Sequence, residues 1–238
     1  MRILITGGDG EFCKHLVEQG KKHSFLTPTK KEADISDYCQ LDRYFYEHQS
    51  KFDIVIHAAA ITRPMVIHED NPTLSIKTNI IGTSNVVLMC EKYNKKIVYI
   101  STDYVYKGID GNYKEIDAMK PFTKYGWSKL GGECAVQMLK GSLILRLALT
   151  DFPFSYKKAI KNAYSSFLFN KDFAKILPSL INKTGIINVG GKRQSIYHFA
   201  KKSNPKIKPM MINKNSKFPK DSSLNVKKFN QILKKNAK

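Results

Sequence analysis

Tyr125 and Lys129 stand four residues apart in the run Tyr125-Gly126-Trp127-Ser128-Lys129. On a helix that spacing puts both side chains on one face, so a phenol and an ammonium can point into one site. A nearby cation favours phenolate, which would bring proton exchange at the phenol closer to neutral pH. Two dozen residues earlier, Ser101-Thr102-Asp103-Tyr104-Val105-Tyr106 offers the Thr102 hydroxyl at the end of a short apolar run. A phenol, an ammonium and a hydroxyl together suit proton transfer at a carbonyl or alcohol oxygen. Tyr and Lys at this spacing are common on plain helix surfaces, so the weight rests on what precedes them.

What precedes them is an alternation of strands and helices. Arg2-Ile3-Leu4-Ile5-Thr6 reads as a buried strand, Gly7-Gly8-Asp9-Gly10 as a turn, and Glu11 to Gln19 as a helix carrying Phe12, Cys13 and Leu16 at apolar positions. Strand, glycine turn and helix N-terminus make an anion site, because unpaired N–H groups and the helix dipole face the same point. The spacing Gly7-x-x-Gly10-x-x-Cys13 follows a dinucleotide fingerprint whose third glycine is here a small Cys. A second strand is expected at Ser24–Leu26. An acid at its end would bind a ribose 2′-hydroxyl. Instead Thr27, Pro28, Thr29, Lys30 and Lys31 lie there, with no acid before Glu32, which favours a 2′-phosphate and hence NADP(H), with NAD(H) as the alternative.

Further along, Asp34-Ile35-Ser36 should open a helix through Tyr38 to His48, capped by Asp34 or Ser36. Asp53 to His57 reads as a central strand running into Ala58-Ala59-Ala60, where small side chains let a ligand approach the backbone. His57 has no partner motif and reads as structural or cofactor-side. One helix is expected from about Thr73 to Tyr93, with Asn79 on its buried face hydrogen-bonding a neighbouring loop. Strands at Ile97–Ile100 and Leu143–Leu147 flank a loop, Lys107 to Phe122, and the Tyr125 helix, which should end near Leu139. The alternation argues an α/β, Rossmann-type, doubly wound parallel sheet over 1–150. After Thr150 the texture turns aromatic and lysine-rich. Residues 151–238 are expected to form a small substrate lobe, partly packed back on the sheet. It would hold a helix from Phe173, a strand at Gly185–Val189, a helix at Ser195–Lys202, a loop over Lys206–Asp221 and a terminal helix at Leu224–Leu233.

At 238 residues the chain can bury a large core. No apolar run approaches the roughly 20 residues of a membrane span, and the N-terminus has no signal-peptide architecture. The four cysteines, Cys13, Cys39, Cys90 and Cys134, lack metal-ligand spacing and fit a reducing cytoplasm. The net charge of +20 is spread along the chain with many Asn and Ile. It reads as compositional bias plus attraction for phosphorylated ligands, rather than as a nucleic-acid or membrane patch.

With these pieces placed, the chain resembles the extended short-chain dehydrogenase/reductase superfamily, and within it the dTDP-4-dehydrorhamnose reductase family. The residues that carry the likeness run from Ile3 to Gly10, Ala33 to Ser36, His57 to Ala60, Ser101 to Gly108, and Tyr125 to Glu133, with echoes at Leu145-Arg146, Asp172-Phe173-Ala174, Gly185 to Gly190, Ser195 to Ala200 and Pro219 to Leu224. The resemblance implies Thr102, Tyr125 and Lys129 as the catalytic set. It implies a nicotinamide cofactor near Gly7, Asp9, Gly10, Glu11, Phe12, Lys30, Asp34, Ile35, Ala58, Ala59, Ala60, Asn79, Ser101, Tyr125 and Lys129. The reaction implied is reduction of a nucleotide-activated 4-keto-6-deoxy sugar in the cytoplasm, with a homodimer, in this family sometimes bridged by a divalent ion, as the suggested assembly; the sequence itself has no carboxylate cluster that demands a metal. The chain is short between Arg146 and Phe167, where the family builds part of its sugar pocket, and Lys220 stands where that family often has Arg. An epimerase or dehydratase of the same fold is therefore a second reading. A non-catalytic, cofactor-binding regulatory subunit is a third.

Overall fold

The computed structural model describes residues 1–213, 216 and 218–236. Six parallel strands form one sheet: β1 (Arg2–Thr6), β2 (Ser24–Leu26), β3 (Ile54–His57), β4 (Lys96–Thr102), β5 (Leu143–Leu147) and β10 (Gly185–Val189). Their order across the sheet is β10-β5-β4-β3-β1-β2, every neighbouring pair parallel. The strand order therefore reverses between β1 and β3, and in open α/β sheets ligands settle in the crevice at that point. The expected doubly wound sheet is what forms, and its sixth strand comes from beyond residue 150.

Helices cover both faces because the strands are apolar on both. On one face α1 (Glu11–Gln19), α7 (Asn170–Ile176) and α9 (Lys227–Asn236) enclose a core that includes Ile3, Ile5, Leu145, Phe173 and Phe229. Phe12 of α1 stacks on Phe173 of α7 with ring centroids 5.6 Å apart. On the other face α2 (Tyr38–His48), α5 (Thr83–Lys92) and α6 (Lys124–Met138) cover Leu4, Val55, Tyr99 and Ile144. Short strands β7 (Lys158–Ile160), β8 (Tyr164–Ser165), β11 (Gln194–Ser195) and β12 (Lys208–Met210), with α8 (Ile196–Lys201), surround a separate small cluster of Phe154, Ile160, Ile196 and Ile207, while β6 (Leu149–Thr150) and β9 (Leu168–Phe169) pair with each other and lay Leu149 and Leu168 against the first core.

Four local expectations change. Asp37, rather than Asp34 or Ser36, caps α2 by accepting from the Gln40 N–H at 3.0 Å, while Asp34 spends its carboxylate on the Ser36 N–H and hydroxyl. The helix expected over Thr73–Tyr93 follows a separate short helix, α3 (Val66–Asp70). It runs as α4 (Pro72–Ser75), a π-helical stretch Ile76–Gly82, then α5. The wider π turns bring Asn79 inward, where it clamps the loop after β3: its amide donates to the Ile61 carbonyl and accepts from the Ile61 N–H. The terminal helix starts three residues late, because the backbone around Leu224 is taken up by Tyr113, whose carbonyl accepts from the Asn225 N–H at 2.7 Å. The loop expected over Lys206–Asp221 includes residues 214, 215 and 217, which lie outside the described residues; its described part contains β12, paired with β7.

Candidate active site

The phosphate end of the crevice is built from backbone. Gly7 holds φ at +80°, and a Cβ there would sit 2.9 Å from the Ala59 Cα, so only glycine lets the turn lie against the Ala58–Ala60 segment. Helix α1 starts at Gly10 with no side-chain cap, so its first N–H groups face the crevice, and Glu11 is drawn aside to Lys14 at 2.7 Å. A dinucleotide pyrophosphate fits this cradle. Cys13, in the third-glycine position, is buried in the core, and burial pushes its thiol up to about 11, so it packs as an inert small side chain.

Around this cradle the expected cofactor residues fall into two groups. Asp9 and Lys30 meet across the crevice rim, with the Lys30 N–H 3.5 Å from the Asp9 carboxylate, and the exposed Lys30 ammonium lies 3.5 Å from Asp34. Glu32, the first acid after β2, is occupied by the Thr29 N–H and hydroxyl, and the exposed pair of Lys30 with Asp34 can give way to a phosphate. Ala58, Ala59 and Ala60 are partly exposed along the crevice. By contrast, Ile35 and Phe12 put their side chains into the two cores, Asn79 serves the Ile61 loop, and Ser101 gives its hydroxyl to Glu133. His57 is structural: its ring lies between the hydroxyls of Thr6 (2.7 Å) and Thr83 (2.9 Å), and burial pushes it down to about 3, so it stays neutral.

Thr102 and Tyr125 do converge, and Lys129, one helical turn after Tyr125, turns its ammonium to the Tyr99 ring. Helix α6 starts hard against the turn after β4: Thr123 caps it by accepting from the Gly126 N–H at 3.1 Å, and a Cβ on Gly126 would strike the Tyr104 carbonyl. That close approach puts the partly exposed Tyr125 phenol in hydrogen-bonding reach of Thr102. The helix's rotation is locked from below, where Glu133, eight residues beyond Tyr125, meets the guanidinium of Arg146 at 2.8 Å, both side chains buried. Arg146 also donates to Tyr106 at 2.8 Å, so β4, β5 and α6 are tied together beneath the site.

The electrostatics differ from expectation. The Tyr125 phenol is pushed up, to about 12, because burial outweighs the hydrogen bond from Thr102 and the charge of Arg63. Lys129 is buried with its ammonium 4.1 Å from the centre of the Tyr99 ring, and burial drives it down to about 7 against the pull of Glu133. The phenol therefore carries its proton at neutral pH while the lysine is close to half charged. Three participants were not foreseen. Asp103 is buried beside Thr102, and burial raises it to about 7 despite hydrogen bonds from Ser222 and Thr102. His68 is fully buried, holds Ser75 at 2.7 Å and lays its ring 5.0 Å from that of Tyr125. Arg63, in the loop after Ala60, adds a charge that favours the phenolate of Tyr125. An acid directly after Ser-Thr was the only sequence signal for any of them.

Among the described residues, no group of three His, Cys, Asp or Glu side chains is placed to hold a metal ion, and no helix is long and apolar enough to cross a membrane.

Comparison with known proteins bears on this geometry. A family model described as "RmlD substrate binding domain" matches residues 1–164. A dTDP-4-dehydrorhamnose reductase from Mycolicibacterium smegmatis is 34% identical over 143 residues, 58% of this chain and 42% of that protein. Methionine adenosyltransferase 2 subunit beta of Xenopus laevis is 34% identical over 156 residues, 61% of this chain and 46% of that protein. The chain thus spans less than half the length of these curated relatives. Among solved structures, a dTDP-4-dehydrorhamnose reductase from Bacillus anthracis in complex with NADP superposes with a TM-score of 0.84 at 26% identity, covering 97% of this chain and 92% of that one.

Proposed function

The chain belongs to the RmlD substrate binding domain family, and on that premise we propose that it is a reductase of a nucleotide-activated 4-keto-6-deoxy sugar, using NADP(H) in preference to NAD(H). The observation that carries this reading is the meeting of Thr102 and Tyr125, with Lys129 one helical turn further along α6, beside a crevice whose glycine turn suits a dinucleotide. NADP(H) is favoured because Lys30 follows β2 in an exposed pair with Asp34 that a 2′-phosphate can replace, and the Bacillus anthracis relative was solved with NADP.

The nicotinamide would supply the hydride for the carbonyl carbon. Tyr125, protonated at neutral pH, gives its proton to the carbonyl oxygen as negative charge builds there. The Thr102 hydroxyl donates to that same oxygen and fixes its position. Lys129, able to gain and lose a proton near pH 7, is suited to restore the phenol's proton between turnovers. The reading assigns the protein to the cytoplasm, with a nucleotide sugar as its partner and a homodimer as its assembly.

The test is a fluorescence titration with NADPH and NADH, followed by a panel of 4-keto nucleotide sugars with the nicotinamide absorbance recorded. Oxidation by one sugar is expected. Tyr125→Phe should keep NADPH binding near normal and lose roughly 10²–10⁴-fold in turnover; undiminished turnover would remove the acid role. Conversion of a sugar without net oxidation would mean an epimerase or dehydratase. The 34% match to a methionine adenosyltransferase subunit favours one further reading, a cofactor-binding regulatory subunit, which would bind NADPH and turn over none of the sugars.

A further inference from the structure

Arg63 leaves the loop after Ala60 and crosses to the start of the segment that follows β6. Its Nη1 donates to Asp151 Oδ2 at 2.7 Å, and Asp151 Oδ1 accepts from the Asn170 amide at 2.9 Å. The two side chains of the ion pair are 44% and 38% exposed. A pair this wet contributes at most about 1 kcal/mol, so Arg63 can change partners at little cost.

Its position says which partner. β4 lies between β3 and β5 in the sheet, so a pair that joins the loop after β3 to the segment after β6 crosses the end of β4, where Thr102 stands. Aromatic rings lie near the same strand ends: Tyr104 packs on Phe122 at 5.6 Å and stands 6.0 Å from the Tyr125 ring, and Phe154, three residues after Asp151, packs on the half-exposed Tyr156 at 5.5 Å. A cofactor pyrophosphate already has its cradle in Gly7–Gly10 and the uncapped N-terminus of α1. A guanidinium that turns from the loop after β3 toward β5, away from β1 and its glycine turn, suits a second diphosphate. Arginine grips phosphate through two parallel charge-assisted hydrogen bonds, which an exposed carboxylate pair does not match.

We infer that Arg63 reads the diphosphate of the substrate, leaving Asp151 for the phosphate oxygens when the substrate enters. Asp151 is its resting partner, holding the guanidinium extended over the opening so that little side-chain freedom remains to be lost on binding. The inference rests on the nucleotide-sugar reading above, and it names the part of that substrate recognised here.

The probes are thymidine and uridine diphosphates, each compared with its nucleoside, titrated into full-length protein saturated with NADPH. Wild type should bind at least one diphosphate about tenfold or more tighter than the nucleoside. Arg63→Gln should remove that advantage, leave nucleoside binding unchanged and keep the NADPH Kd within about twofold. Asp151→Asn should tighten the diphosphate or leave it as it is, because it releases Arg63. The inference is overturned if neither diphosphate outbinds its nucleoside, if Arg63→Gln binds it as wild type does, or if the loss falls on NADPH instead. Diphosphate binding that depends on Arg63, with no sugar reduced, would sink the reductase proposal and leave this inference standing. Turnover with a KM unchanged by Arg63→Gln would do the reverse.

Discussion

Lys129 is the residue whose replacement should separate stability from activity most sharply. Its ammonium is buried under α6, facing the Tyr99 ring, and burial lowers its pKa from the ordinary 10.5 to about 7. At about 1.36 kcal/mol per pH unit, the folded chain pays on the order of 5 kcal/mol to hold the charged form. The sign follows from proton counts. Below pH 7 the lysine is charged in both folded and unfolded chains, and the full cost is felt. Between pH 7 and about 10.5 the unfolded chain binds the extra proton, so wild-type stability from this group rises with pH, and above that the cost disappears. Lys129→Met removes the charge and keeps the apolar stem. Glu133 does not become an orphan, because Arg146 still meets both of its oxygens at 2.8–3.2 Å. The variant should be more stable than wild type by a few kcal/mol at pH 6 and lose that lead by about 1.4 kcal/mol per pH unit from pH 7 upward, while turnover collapses. Urea unfolding of both proteins at pH 6, 7, 8 and 9 measures the lead, and using the difference cancels the other titrating groups. A lead that does not change with pH, or a variant less stable at pH 6, would refute the buried-charge argument.

Two further substitutions probe the shell around the site. Asp103, raised to about 7 in the fold against an ordinary 3.8, contributes stability that is complete below about pH 4 and fades as pH rises to 7. Asp103→Asn should therefore gain on wild type across pH 4–7 and hold a constant lead above it, as read from thermal unfolding midpoints; a lead that shrinks over that window contradicts the assignment. Glu133→Gln strands the buried Arg146 guanidinium and should cost about 3–5 kcal/mol in urea unfolding. A cost under 1 kcal/mol would mean that Tyr106 and the Glu115 carbonyl satisfy Arg146 unaided.

How far the sequence carried depends on the distance over which each feature is decided. β1, α1 and the turn between them were legible to the residue, since an apolar β-branched run, glycines and a 3.6-residue apolar period are all local signals. The Tyr125 helix was legible for the same reason, and so was its proximity to Thr102, because Gly126 permits the contact that its motif implies. The π turns around Asn79 were not, because they answer to a loop at Ile61 that arrives from β3. Nor was the pair Arg63–Asp151, whose partners lie 88 residues apart and are joined only by the crossing of the chain above the sheet. The direction of the Tyr125 shift shows the deepest gap. Sequence spacing sets a lysine one helical turn from the phenol, but not how little water reaches either group, and desolvation penalises phenolate and ammonium alike. Desolvation thus leaves the proton on the phenol and sheds it from the lysine. That is the state a ketone reduction needs at its start, with the acid loaded and its supplier able to exchange protons near pH 7.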